Sequence, residues 1–146
     1  MIKVIHSTQD PQLQLLEQDP VRPHIPAEHR VGKNGRIFVL MHQEQVQSVV
    51  CVALSDHVVV EEHDLFSYQG DSPTVAILYT IWSLAKGGGA AMIVPAREQI
   101  KHMFPTVNKL ITLSPHTDMA RKFHIRNGAH ELQMNPNTVN FEYDMH

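Results

Sequence analysis

"TVAILYTIWSLAKGGGAAMIVPAREQI", Thr74 to Ile100, changes its periodicity once, and that change decides the fold. Up to Leu84 the run is apolar on both alternating faces, which predicts a central strand buried on both sides of a sheet. Beyond the glycines, Met92, Ile93, Ala96, Ile100, Met103 and Phe104 recur at helical spacing up to Pro105. Between strand and helix lie Lys86, Gly87, Gly88, Gly89 and Ala90. Such a turn can aim backbone N–H groups at an anion, and the helix N-terminus adds the positive end of its dipole. It lacks the Gly-Lys-Ser/Thr ending of a phosphate-binding Walker loop and is not GxGxxG; a flexible connection would explain the same residues. Pro95 has no N–H to donate, so the regular helix is expected to start near Val94 or to kink there.

Outward from this stretch, "KNGRIFVLMHQEQVQSVVCVALS" reads as two strands, about Ile37 to His42 and Gln45 to Leu54, joined by a tight turn at Gln43-Glu44. "STQDPQLQLLEQD" reads as a short amphipathic helix capped by Ser7 or Asp10, and three prolines from Pro20 to Pro26 make an extended linker. On the C-terminal side, "KLITLS" is a strand, "HTDMARKFHIRNG" a short helix closed by Gly128, and "TVNFEYD" a last strand. The result is an α+β chain: a mixed central sheet that begins with an antiparallel hairpin and is flanked by helices. Residues 1–146 are expected to form a single domain.

Composition narrows the function. The net charge is −3 with no long basic run, which argues against a general grip on nucleic acid. No apolar run reaches the ~20 residues of a membrane helix. The single cysteine, Cys51, lies in an apolar run, and no secretory leader precedes it, so a cytoplasmic location is expected. The 11 histidines are scattered, without HExxH or zinc-type Cys/His spacing, so no metal is expected.

"ARKFH" followed by Asn127-Gly128-Ala129 resembles the Ala-x-x-Phe-Tyr-x-x-x-Gly-Phe pattern of the GNAT (GCN5-related N-acetyltransferase) fold, with histidine in place of tyrosine. The order of hairpin, buried strand, glycine turn, helix, strand and short helix is similar to that fold as well. The branch with this histidine is the catalytic domain of malonyl-CoA decarboxylase, whose Phe-His-x-x-Asn-Gly-Ala matches Phe123 to Ala129. Tyr79-Thr80-Ile81 resembles its Tyr-Ser-Ile, Thr112 to Pro115 its Thr-Leu-Ser-Pro, and Pro26-Ala27-Glu28 its Pro-x-Glu. Two features depart from the pattern. The turn carries Leu84 or Ala85 where the fold normally has Gln or Arg, and the family's helical N-terminal domain has no counterpart among these residues, leaving homo-oligomeric assembly open.

The resemblance implies an acyl-CoA partner, with a coenzyme A thioester held on the turn from Lys86 to Ala90. It makes His124 and Thr80 the catalytic pair. Read from the residues themselves, Ser114 ends a strand and shapes the site, Asn127 closes the helix because Asn-Gly is turn chemistry, and Glu28 caps or pairs. Loss of carbon dioxide from a malonyl thioester leaves an enolate, which needs stabilisation at oxygen and a proton at carbon. A hydroxyl could donate to the substrate, and an imidazole with an ordinary pKa of roughly 6.5 could deliver the proton. The alternative activity is transfer of the acyl group to an amine. The amine must then lose a proton to an ordered water or to a carboxylate base, for which Glu61, Glu62 and Asp64 are candidates, with His124 protonating the thiolate. A GNAT-like binding module without activity is the third reading. Lys86, Arg97, Arg121 and Lys122 are candidate phosphate partners, and Met119 and Phe123 are expected in the core.

Overall fold

The computed structural model describes residues 1–146. Its strands are β1 (Ile2–Ile5), β2 (Gly35–His42), β3 (Gln45–Ser55), β4 (Val75–Ser83), β5 (Lys109–Thr112), β6 (His130–Met134) and β7 (Val139–Tyr143). The helices are α1 (Ala27–Arg30), α2 (Gly88–Met103) and α3 (Asp118–Arg126), with 3-10 turns at Pro11–Gln18 and Glu62–Asp64. The seven strands form one sheet in the order β1-β2-β3-β4-β5-β7-β6, in which only β4 and β5 run parallel.

The expected hairpin forms because Gln43 and Glu44 both take positive φ, 50° and 64°, the twist that lets a two-residue connection join antiparallel strands. From β2 to β4, alternate residues enter two cores. Phe38, Leu40, Val50, Val52, Ala76 and Leu78 pack with Met92, Ile93, Ala96 and Ile100 of α2. Ile37, Val39, Val49, Cys51, Ile77 and Tyr79 pack under Leu16, Ile25, Val59 and Leu65. A strand covered on both sides has no polar face to show, which explains the unbroken apolar run of β4.

Four elements depart from the sequence reading. The N-terminal segment forms β1 against β2, and β6 forms the far edge beside β7. The helix after the glycines starts at Gly88, not near Val94, and carries Pro95 in its interior. The capped segment around Leu13 to Leu16 is a 3-10 turn, with the Asp10 side chain accepting the Gln12 N–H.

Two irregularities open the sheet where chemistry could occur. Cys51 faces Thr80 and Val52 faces Leu78, so Tyr79 is an extra residue, a bulge that re-aims the end of β4. The parallel pairing of β4 with β5 ends at Leu78 and Thr112, with one more bond from the Leu113 N–H to the Leu78 carbonyl. Ser114 then pairs with Val139 instead. Past that point β4 and its neighbour part, and a crevice lies off the carboxyl ends of the parallel pair.

Candidate active site

The crevice is a cavity of about 610 Å³ between the end of β4, the segment Leu113–Thr117 and α3. Thr80, Ser114 and His124 all line it, together with Gly89 at the start of α2. The cavity thus brings the sequence-predicted pair together with Gly89, while Lys86, Gly87, Gly88 and Ala90 of the glycine turn do not line it. No Asp, Glu, Lys or Arg stands among the lining residues.

His124 is 5 % exposed, on the last turn of α3. Thr117 caps that helix by accepting the Ala120 N–H, and Asn127 closes it with its Nδ2 donating to the Phe123 carbonyl at 2.8 Å. The ring stacks on Phe141 and meets Phe123 and Tyr143 edge-on. Burial among these rings pushes its pKa down to about 4, so at neutral pH the imidazole carries no charge. This overturns the expectation of an ordinary titration near 6.5: the neutral ring is a hydrogen-bonding group, not a store of ready protons.

The tautomer follows from the hydrogen-bond network. His124 Nδ1 lies 2.7 Å from the Tyr143 hydroxyl. Burial pushes that phenol's pKa up, so it stays protonated, and its O–H has no other acceptor in the protein. Tyr143 therefore donates to Nδ1, which assigns the ring hydrogen to Nε2, the nitrogen left free for a ligand. Nothing in the spacing of the sequence ties residue 143 to residue 124, and Tyr143 was missed for that reason.

Thr80 is buried, and its hydroxyl donates to Asp19 Oδ1 at 2.9 Å. Asp19 is in turn paired with Arg30 at 2.8 Å, with both side chains wholly shielded from solvent. Ser114 shares a hydrogen bond of 2.8 Å with Thr112, whose oxygen also accepts the Phe141 N–H. These contacts hold the second wall of the crevice in register with β7.

The glycine turn is fixed by β3. The Gln47 carbonyl accepts from the Leu84 and Ala85 N–H groups. A Cβ on Gly88 would come within 2.1 Å of the same oxygen, so only glycine fits. Gly87 takes φ +77°, open to glycine at little cost. The Gly89 N–H is used internally, donating to Ser83 Oγ at 2.6 Å, while the Gly87 and Ala90 N–H groups have no acceptor in the protein. The dipole end of a 16-residue helix adds to their pull on an anion. Lys86 is exposed beside them.

Several other candidates stand elsewhere. Glu28 is exposed on α1 and does not line the cavity. Glu61, Glu62 and Asp64 do not line it either; Glu62 is bound to Arg22 and His24. Arg97 bonds the Asp144 carbonyl, and Arg121 pairs with Glu131. Met119 is not in the core: it is 82 % exposed at the rim of the crevice, because its position on α3 faces away from the sheet. Phe123 is partly buried against the core as expected.

No protein-family model matches the sequence, and no curated protein matches it. Solved structures do. A malonyl-CoA decarboxylase from Agrobacterium vitis superposes with a TM-score of 0.68 at 21 % identity, over 83 % of this chain and 34 % of the other. The loading GNATL domain of CurA from Lyngbya majuscula gives 0.73 at 14 % identity, over 99 % of this chain and 98 % of that domain. A Bacillus subtilis acetyltransferase in complex with CoA gives 0.63 at 12 % identity, over 98 % and 97 % of the two chains. The chain spans about a third of the length of the Agrobacterium decarboxylase. The splayed β4 and β5, the glycine turn on α2 and these superpositions together establish that the chain has the GNAT fold.

Proposed function

We propose that the crevice binds an acyl-CoA and that the chain decarboxylates a malonyl-type thioester. The observation that carries this reading is the pairing of Thr80 with a neutral, Nε2-protonated His124 in one cavity that contains no carboxylate. Transfer to an amine needs a group that removes a proton from the nucleophile, and the walls supply none. Decarboxylation needs no base.

The CoA phosphates would sit at the free N–H groups of Gly87 and Ala90, with the acyl end reaching along β4 toward His124. The malonyl carboxylate then lies in a cavity without cations. Breaking the bond to that carboxylate releases carbon dioxide and leaves its electron pair on the thioester as an enolate. Charge collects on the thioester oxygen, where the Nε2–H of His124 donates to it. The enolate carbon takes one proton, with water as the source, and the product is the acetyl thioester. The neutral ring suits this role because it donates a hydrogen bond without adding a charge that would hold the carboxylate in place.

A second reading, transfer of the acyl group to an acceptor, draws on the CoA-bound acetyltransferase among the structural neighbours. The test is to incubate the protein with malonyl-CoA, and separately with acetyl-CoA, without an acceptor and to follow products by mass spectrometry. Acetyl-CoA formed from malonyl-CoA supports decarboxylation. Saturable CoA binding with both thioesters left intact points to transfer, and no binding removes both enzyme readings.

A further inference from the structure

Asp19 lies in the segment that leaves the N-terminal 3-10 turn, 61 residues before Thr80, and no motif singles it out. Its carboxylate is wholly buried yet has four partners. Oδ2 pairs with Arg30 Nη1 at 2.8 Å, and Oδ1 accepts the Val21 and Arg22 N–H groups, each at 2.8 Å, and the Thr80 hydroxyl at 2.9 Å. Burial alone would raise its pKa, but the hydrogen bonds from Arg22, Arg30, Val21 and Thr80 outweigh it and hold the carboxyl below its usual range. Arg30 is fixed as well, donating to the Ile25 carbonyl at 3.1 Å and to the Arg22 carbonyl. Asp19 is therefore ionised and, in that state, can only accept.

A threonine hydroxyl has one proton. We propose that Asp19 is a positioning residue that takes this proton permanently, so that Thr80 faces the cavity with its oxygen lone pairs and acts there as a hydrogen-bond acceptor. This rests on the decarboxylase reading above and reverses the role of donor that the sequence suggests for Thr80. Asp19 does not act as a relay. A proton passed to it would cancel one half of a fully buried ion pair, and its lowered pKa makes it a poor base. Within the pair, His124 is then the donor and Thr80 the acceptor. Thr80 orients a donor group, an amide N–H of the pantetheine arm or the water that protonates the enolate, and offers nothing to the malonyl carboxylate.

Two measurements test this. The first does not depend on turnover: proton NMR of the intact protein should show a slowly exchanging hydroxyl proton that is lost in Thr80→Val. Exchange as fast as that of an exposed threonine would overturn the clamp, whatever the fate of the decarboxylase reading. The second is a double-mutant cycle on malonyl-CoA turnover. Asp19→Asn should lower kcat by roughly 100-fold with little change in KM, as expected when a reacting group is misplaced. In the Thr80→Val background the same change should cost nothing more, while Thr80→Ser should keep most of the activity. Equal losses in both backgrounds would show a structural role only and reject the proposal. Should Asp19→Asn fail to fold, as removal of one member of a buried pair can cause, Asp19→Leu with Arg30→Met removes both charges together and serves the same cycle. Wild-type protein with slow hydroxyl exchange but no turnover would reject the decarboxylase reading and leave the clamp standing.

Discussion

At the scale of single residues, the account depends on how burial sets protonation. His124 has a pKa of about 4 in the fold and 6.5 as a free side chain, so between those values the unfolded chain binds more protons. Stability is therefore full above pH 6.5 and falls as the pH drops toward 4, by roughly 3 kcal/mol in all. Denaturant unfolding of wild type and His124→Gln at pH 7 and pH 4.5 checks this, and the variant should lose much less stability between the two. Asp19 contributes in a separate window: its lowered pKa means its share is lost only as the pH falls below the usual carboxylate range. His124 and Thr80 were legible because each sits in a short contiguous pattern, "FHIRNGA" and "YTI". Asp19 and Tyr143 were not. Each acts on a residue far along the chain, and "EQDP" reads locally as the solvated end of a turn.

At the scale of elements, the turn before α2 carries the most specific demand. Gly88→Ala would drive a methyl group into the Gln47 carbonyl, so it should both destabilise the fold and weaken CoA binding, measurable by thermal unfolding and by calorimetric titration with CoA. Gly87→Ala meets open space but a left-handed φ, and should cost about 1–2 kcal/mol with a smaller effect on binding. Pro95→Ala restores a donor in the middle of α2 and should stabilise the protein by about 1–2 kcal/mol, read as a raised Tm. Periodicity placed β2, β3, β4 and β7, where alternating or unbroken apolar residues meet a core. It passed over β6, whose "HELQM" is mostly exposed on a sheet edge, and β1, a four-residue strand with a charge in it. At Pro95 the residues allow either a start near Val94 or a kink, and α2 runs from Gly88 through Pro95 because Met92, Ile93, Ala96 and Ile100 anchor it in the core.

At the scale of the whole molecule, one sheet is paired continuously until the end of β4, and there it divides. The division makes room for a ligand off the carboxyl ends of the parallel strands, with Gly89 of the glycine turn and His124 both on its walls. The order of elements made this architecture legible, but the depth and chemistry of the crevice depend on the bulge at Tyr79 and on side chains from four separate segments. Its uncharged walls are the ground on which decarboxylation is proposed over transfer to an amine. The most direct measurement is the rate of acetyl-CoA formation from malonyl-CoA by wild type and by His124→Gln, with CoA affinity measured in parallel. The account predicts turnover by the wild type, a loss of about 100- to 1000-fold in kcat in the variant, and unchanged CoA binding. Malonyl-CoA recovered intact from the wild type, or acetyl-CoA produced equally fast by the variant, would contradict it.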